Sequence, residues 1–404
     1  MNRTDVTTVA IIGAGPAGLT LANLLHRRRV PCIVVDKFSK QQLLERARAG
    51  LLEYRTVETL NRMGLAKRLY EEGHPHVRCE FRSQGQSFVM DLPDYYEGRS
   101  QHVFPQQEVV KELLEGLVSA GGEIRLGSTA VGLDDSGAQP VVKLADGSVI
   151  VADFVAAADG TYGAGRASAP AGAIREFTMQ HEFRWLTLLA STPPSAENTI
   201  YAAHERGFAG HLLRSSTVTR FHLQVPLEDT IEDWPDDRIW SELRTRLSLP
   251  GFALNEGPIF SKNMLEMQSR VSEPMQYGRV FLLGDAAHVI TPAGGKGMNL
   301  AIADAAELDR VLGEYTDSGS DPSVLARYSA RRLPDIWKAQ EFSHFLLHMI
   351  HKYSPDAPDA AFRQKLQESR LWQLREYESF ARNFAQSFIG PLPIGSDTPA
   401  PQKV

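Results

Sequence analysis

Two hydrophobic patterns divide the chain. Thr8-Val-Ala-Ile-Ile12 and Pro31-Cys-Ile-Val-Val-Asp36 are short, nearly continuous apolar runs, the pattern of strands buried on both faces of a parallel sheet. Between them, Ala17 to His26 carries apolar residues at helical spacing. The buried-strand pattern returns at Ile150 to Ala158, led in by a hairpin-like turn at Ala145-Asp-Gly147, and again at Val280 to Asp285. Gly297 to Asp304 then opens another helix. From about Glu182 to Pro258 the pattern becomes alternating, as in Arg184-Trp-Leu-Thr-Leu-Leu189 and Arg220-Phe-His-Leu-Gln-Val225, which predicts an inserted sheet forming one wall of a cavity. From about Ser323 the chain reads as helical and rich in aromatic residues, up to the loop Ile389-Gly-Pro-Leu-Pro393. The expected fold class is α/β: a Rossmann-like domain over 1–181 with a return segment over 271–322, an inserted β-sheet domain over 182–270, a helical C-terminal region over 323–394 and a flexible tail over 395–404.

At 404 residues the chain can bury a large core. A formal charge of -6 gives no general attraction to nucleic acid or anionic membrane, so neither is expected as a partner. The two cysteines, Cys32 and Cys79, form neither a disulfide framework nor a cysteine-rich metal site. No secretory leader or uncharged apolar run of membrane-spanning length is found, so a cytoplasmic protein is expected. The basic run Arg27-Arg28-Arg29 complements the end of a helix dipole more simply than it builds an anion site. No His, Cys and carboxylate cluster has metal-ligand spacing, so no metal is expected.

Gly13, Gly15 and Gly18 form G-x-G-x-x-G between a strand and a helix, and Asp36 ends the next strand. Glycines permit a tight turn and close backbone approach, the helix N-terminus attracts a pyrophosphate, and the acid accepts ribose hydroxyls. This arrangement predicts dinucleotide binding without choosing between NAD and FAD. Two further pairs follow strands, Asp159-Gly160 and Gly284-Asp285; each alone is an ordinary turn sequence.

Taken in order, these segments resemble the group A flavoprotein aromatic hydroxylases. Arg46-Ala-Arg48-Ala-Gly50, Gln106, Ile200 to Phe208, Arg214, Gln224-Val-Pro226, Glu273-Pro-Met-Gln276 and Gly284-Asp-Ala-Ala-His288 narrow the resemblance to the 4-hydroxybenzoate 3-monooxygenase subfamily, over about residues 8 to 393. It implies an FAD-binding Rossmann-like domain with an inserted substrate domain, non-covalent FAD, NAD(P)H as co-substrate, O2, an aromatic acid substrate and a homodimer. For FAD it implies Gly13, Gly15, Gly18, Asp36, Arg46, Arg48, Gln106, Asp159, Arg220 and Asp285, with Gly297, Met298 and Asn299 beside the flavin ring; Arg46 and Arg48 touch FAD or the reducing nucleotide. For substrate it implies Arg214 on the carboxylate, Tyr201 on the phenolic oxygen and the Pro292 carbonyl beside that hydroxyl. His76 corresponds to the solvent end of a proton relay, with an exposed loop histidine as the alternative.

Several positions depart from the subfamily pattern. Leu212 and His222 stand where a serine and a tyrosine help bind the carboxylate, Gly210 replaces a larger apolar residue and suggests extra room, and Phe388 lacks the hydroxyl of the relay's second tyrosine. The expected substrate is therefore a hydroxybenzoate with a further amino or hydroxyl group, such as 3-amino-4-hydroxybenzoate, with plain 4-hydroxybenzoate as the alternative. Lys37, Phe38, Gln42, Tyr162 and Gln268 leave NADPH and NADH both open, with NADPH favoured. A flavin halogenase is disfavoured by the lack of W-x-W-x-I-P. A non-catalytic flavin-binding sensor is the reading of another class.

Overall fold

The computed structural model describes residues 3–46, 50–353 and 357–390 and divides into two compact units. The first comprises Met1–Gly73, Phe104–Met179 and Ser269–Gln340; the second comprises His74–Val103, Gln180–Gln268 and Glu341–Val404. Among the described residues, no helix is long and apolar enough to cross a membrane.

The first unit is built on the strands read as buried runs. Thr4–Ile12 lies between Cys32–Asp36 and Val149–Ala157, parallel to both, and Val280–Leu282 continues the parallel pairing beyond Val149–Ala157. The order places Ile12 opposite both Val35 and Ala157, and Ala157 opposite Leu282. The glycine loop, Asp159-Gly160 and Gly284-Asp285 therefore leave the carboxyl ends of adjacent strands. In an open α/β sheet this is where ligands bind. The helix Pro16–Arg27 begins with proline, whose missing N–H costs nothing there, and buries Leu19, Leu21, Ala22 and Leu25. Asn23 Nδ2 donates to the carbonyls of Leu19 and Leu113, both at 2.8 Å, tying this helix to Gln106–Ser119.

In the second unit, antiparallel pairing links Arg175–Ala190, Thr219–Val225, Ala209–Leu213 and Thr199–Ala203; Arg78–Ser83 then pairs parallel to Thr199–Ala203. Period-two alternation splits the side chains between the faces. Leu186, Leu188, Ile200, Ala209, Phe221 and Leu223 form a core with Trp234, Ile239, Trp240 and Leu243, the last three on the helix Asp236–Arg246. The other face carries Tyr201, Gly210 and His222 in one cross-strand row, with Leu212 and Arg220 paired in the next. The helices Ala360–Glu376 and Glu378–Ile389 complete the helical C-terminal part of this unit.

Candidate functional site

The first unit holds a cradle at the carboxyl ends of its parallel strands. Gly13 has φ +107, and a Cβ there would lie 2.2 Å from the Ala158 carbonyl oxygen; a Cβ on Gly18 would lie 1.9 Å from that of Gly13. Both glycines are needed for the turn to close and for the helix to approach the sheet. Gly15 differs: nothing lies within 4 Å of where its Cβ would stand, and the helix it precedes has no side-chain cap. Uncapped N–H groups facing open space fit a pyrophosphate. Asp36 accepts the Ala14 N–H on Oδ2 at 2.6 Å and the Phe38 N–H on Oδ1 at 2.7 Å. It thus fastens the glycine loop to the second strand, and each oxygen keeps capacity for a ribose hydroxyl. These residues fit a bound dinucleotide.

The other residues that the sequence marks for the cofactor play more local parts. Asp159 turns into its own loop, where Oδ2 accepts the Gly165 N–H at 2.8 Å while Oδ1 is buried without a partner among the described residues. Burial raises its pKa, against the backbone hydrogen bonds that lower it. Asp285 lies in the 3-10 turn Gly284–Ala286, and its carbonyl accepts from Arg270 at 2.8 Å. Asn299 is committed to the protein: Oδ1 accepts the Glu53 N–H at 2.8 Å, and Nδ2 donates to Leu51 and Gly295 carbonyls at 2.8 and 2.9 Å. With Gly297 and buried Met298 it starts the helix Gly297–Asp317. The half-buried Pro292 accepts the Gly295 N–H at 3.1 Å. Gln106 opens its helix, and exposed Arg46 lies over the Phe38 ring at 4.6 Å. Arg48 lies outside the described residues.

In the second unit Tyr201, Gly210, Leu212, Arg220 and His222 share one sheet face, Arg214 follows the strand Ala209–Leu213 and Phe388 lies on the helix Glu378–Ile389, while Pro292 belongs to the first unit. Burial holds the Tyr201 phenol well above its usual pKa, so it remains a hydroxyl donor and acceptor. Arg220 is depressed to about 10, first by burial and then by the nearby Arg214 guanidinium. Two arginines that repel each other in a partly dry site favour an arriving carboxylate. Burial, reinforced by Arg220, lowers His222 to about 3, so its ring is neutral and adds no positive charge. Its Nδ1 is buried without a partner among the described residues, and its ring centroid lies 4.6 Å from that of Trp185. Half-buried Leu212 has no polar side-chain atom.

Gly210 does not simply leave empty room. The Phe208 ring lies there, with Cζ 2.9 Å from the position a Cβ would take, and the His222 Cβ and Cδ2 lie at 3.5 Å. The expected extra space is occupied in this conformation by an aromatic wall. His76 is buried at the end of the site rather than exposed in a loop: Nε2 is 2.8 Å from Thr199 Oγ1, and its ring centroid is 5.8 Å from that of Phe388. Burial lowers its pKa to about 4.

Several residues of this site were missed in the sequence. Thr199 precedes Tyr201 by two positions in one strand, so period-two alternation was a usable signal for their shared face. Trp185 donates its indole N–H to His351 Nε2 at 2.6 Å, and His351 Nδ1 lies 3.1 Å from the Leu347 carbonyl, which assigns the ring proton to Nδ1. Nothing local announces that pairing.

This chain belongs to the family described as FAD binding domain, which matches residues 6–343, and within it to the flavin-dependent aromatic hydroxylases. The p-hydroxybenzoate hydroxylase of Acinetobacter baylyi is 36% identical over 392 residues, covering 96% of each chain. The rifampicin monooxygenase of Streptomyces venezuelae is 29% identical over 335 residues, 81% of this chain and 68% of that protein. Among solved structures, p-nitrophenol 4-monooxygenase PnpA from Pseudomonas putida DLL-E4 superposes with TM-score 0.79 at 20% identity, covering 97% of this chain and 100% of that one. P. aeruginosa PqsL in complex with 2-aminobenzoylacetate gives 0.74 at 19% identity, covering 90% and 99%. These structural likenesses show the fold. The chain is a single-component FAD-dependent aromatic monooxygenase that uses NAD(P)H and O2.

Proposed function

We propose that this enzyme hydroxylates a hydroxybenzoate bearing a further amino or hydroxyl group, with 3-amino-4-hydroxybenzoate as the leading candidate. The observation that carries the proposal is the composition of the second unit's candidate substrate side: Tyr201, Arg214 and Arg220 are present, while Leu212 and neutral His222 on the sheet and Phe388 on the helix Glu378–Ile389 stand where hydroxyl-bearing partners are expected. An amino-substituted ring is already electron-rich and depends less on full ionisation of its hydroxyl. The pKa of His222 keeps it from competing as a cation for the carboxylate, and its unpartnered nitrogen suits a polar ring substituent.

In this reading Arg214 holds the carboxylate, Arg220 influences the position of the flavin, and Tyr201 lies at the ring hydroxyl. The rings of Trp185, Phe208 and Phe81 line the apolar wall and exclude water. FAD, held by this chain with NAD(P)H as reductant, would supply the activation of O2 needed to hydroxylate the ring. Gly13, Gly15, Gly18, Asp36 and Asp285 hold its nucleotide and ribityl parts. Arg46 would contact FAD or the reducing nucleotide, for which NADPH is favoured. A cytoplasmic homodimer completes the proposal.

The test is a screen of substituted hydroxybenzoates that measures NAD(P)H consumed, peroxide released and product mass together. Well-coupled hydroxylation of an amino- or hydroxyl-substituted ring, with poorer coupling for 4-hydroxybenzoate, is expected. A Leu212→Ser, His222→Tyr, Phe388→Tyr variant should shift coupling toward 4-hydroxybenzoate. Coupled 3-hydroxylation of 4-hydroxybenzoate by the parent, exceeding every analogue, overturns the substituted-substrate reading. NADPH oxidation that no aromatic acid stimulates favours a flavin-binding sensor instead.

A further inference from the structure

The wall that fills the space beside Gly210 is held from the C-terminal part of the second unit. Trp185 donates its indole N–H to His351 Nε2 at 2.6 Å, and the two ring planes lie within 10° of each other. His351 is itself fixed: Nδ1 faces the Leu347 carbonyl at 3.1 Å, the ring is buried, and burial keeps it neutral, so Nε2 stays an acceptor. Gln224, opposite Trp185 in the sheet, ties down the same segment. Its Oε1 accepts the Phe208 N–H and the Lys352 N–H, both at 3.0 Å, and its Nε2 donates to the Lys352 carbonyl. Phe208 is fully buried and packs on both rings, with centroids 5.1 Å from Trp185 and 4.8 Å from His351. Its Cζ stands 2.9 Å from where a Gly210 Cβ would be, and Trp185 meets the His222 ring at 4.6 Å. A lone side-chain tip would move aside from a crowding neighbour. This one is backed by two rings that a hydrogen bond locks together in a close-packed interior.

We propose that His351 is a positioning residue that, acting through Trp185 and Phe208, sets the size of ring substituent this sheet face accepts. The proposal rests on the reading that the aromatic acid binds on this face, beside Gly210 and His222. While His351 accepts the indole N–H, the wall stands forward into the space that Gly210 vacates. A small polar substituent then fits against His222, and a bulkier apolar one meets the Phe208 ring. Without the acceptor, a buried N–H is left unsatisfied, which drives the indole toward another partner. The Phe208 ring then loses its backing and retreats.

The test titrates FAD-loaded enzyme with 4-hydroxybenzoate and its 3-amino and 3-ethyl derivatives, reading dissociation constants from flavin absorbance. In His351→Leu the preference for the 3-amino over the 3-ethyl acid should fall by about 10-fold, the low end of what one methylene decides in a tight pocket. Binding of 4-hydroxybenzoate should stay as in the parent. His351→Gln, whose Oε1 takes the place of Nε2, should restore the preference. Ultraviolet resonance Raman should show one indole N–H losing its hydrogen bond in His351→Leu and keeping it in His351→Gln. Phe208→Leu should cause the same loss of preference, and adding His351→Leu to it should lower the preference no further. His351→Asn, which keeps a polar atom near the Leu347 carbonyl but does not reach the indole, is the second probe if the leucine variant does not fold, with the same loss expected. A preference unchanged by substitution at 351 overturns the proposal, as does equal weakening of all three acids, which marks a purely structural role. If the parent binds none of the three, the substrate reading fails first and this inference falls with it. If the parent binds and hydroxylates them but its preference ignores position 351, only this inference falls.

Discussion

Asp304, at the core-facing side of the helix Gly297–Asp317, holds His288 Nε2 at 2.7 Å and so anchors the far end of the Gly284-Asp285 turn. The same carboxylate accepts the Gly284 N–H at 2.9 Å and Arg332 Nε at 2.8 Å, and it is completely buried. Burial alone favours the neutral acid, but His288 and Arg332 outweigh it and keep the carboxyl below its usual pKa.

Removing this acid leaves the buried Arg332 with Asp335, at 3.1 Å, as its remaining ion-pair partner among the described residues. Asp304→Ala should therefore cost about 3–5 kcal/mol of stability and lower FAD retention, while Asp304→Asn, which keeps one acceptor, should cost less. Urea unfolding and flavin content after gel filtration check this. Parent-like stability in Asp304→Ala contradicts the anchoring role.

The glycine loop separates folding from cofactor binding. Gly18→Ala drives a methyl into the Gly13 carbonyl and should destabilise the first unit, whereas Gly15→Ala meets no protein atom. Gly15→Ala should fold normally yet bind FAD more weakly, because its methyl occupies the approach to the helix N-terminus. Thermal unfolding and FAD titration of the apoprotein distinguish the two. Purified parent protein should be yellow and release intact FAD on denaturation.

Arg214 is expected to dominate recognition of the acid. Arg214→Ala should weaken aromatic-acid binding by about 2–5 kcal/mol while retaining FAD, since a buried carboxylate loses its charge-assisted partner. Flavin absorbance changes on titration with the acid and with its amide report the loss. Equal weakening for acid and amide contradicts a carboxylate role.

Acid should destabilise the second unit through its buried histidines. Burial chiefly lowers His76 and His211 to about 4 and His222 to about 3, from a usual 6.5. Below about pH 6.5 the unfolded chain takes up protons that the folded chain refuses, so these groups stabilise fully above that pH and lose their contribution as pH falls toward 4. The urea midpoint should drop between pH 7.5 and pH 5, and His222→Gln should make the drop smaller. A midpoint independent of pH across this range contradicts the assignment of neutral buried rings.

The sequence alone determined the cradle, because its information is local. Gly13, Gly15 and Gly18 follow a buried apolar run, Asp36 closes the next, and each strand's periodicity survives in neighbouring residues. The cofactor class followed from motif order, and the candidate substrate arginine and tyrosine from matching short segments. Tertiary structure alone decided which side chains meet across distant stretches. Trp185 finds His351 only because the C-terminal part of the chain folds back on the sheet, His76 meets Thr199 although its strand pairs with Gln101–Val103 and Thr199 pairs with Cys79, and Phe208 fills the space beside Gly210. Such contacts depend on cross-strand register and side-chain packing, which join residues that carry no shared local signal. For the same reason Asn299 and Asp159, which the motifs marked as cofactor residues, spend much of their hydrogen-bonding capacity on the protein's own loops.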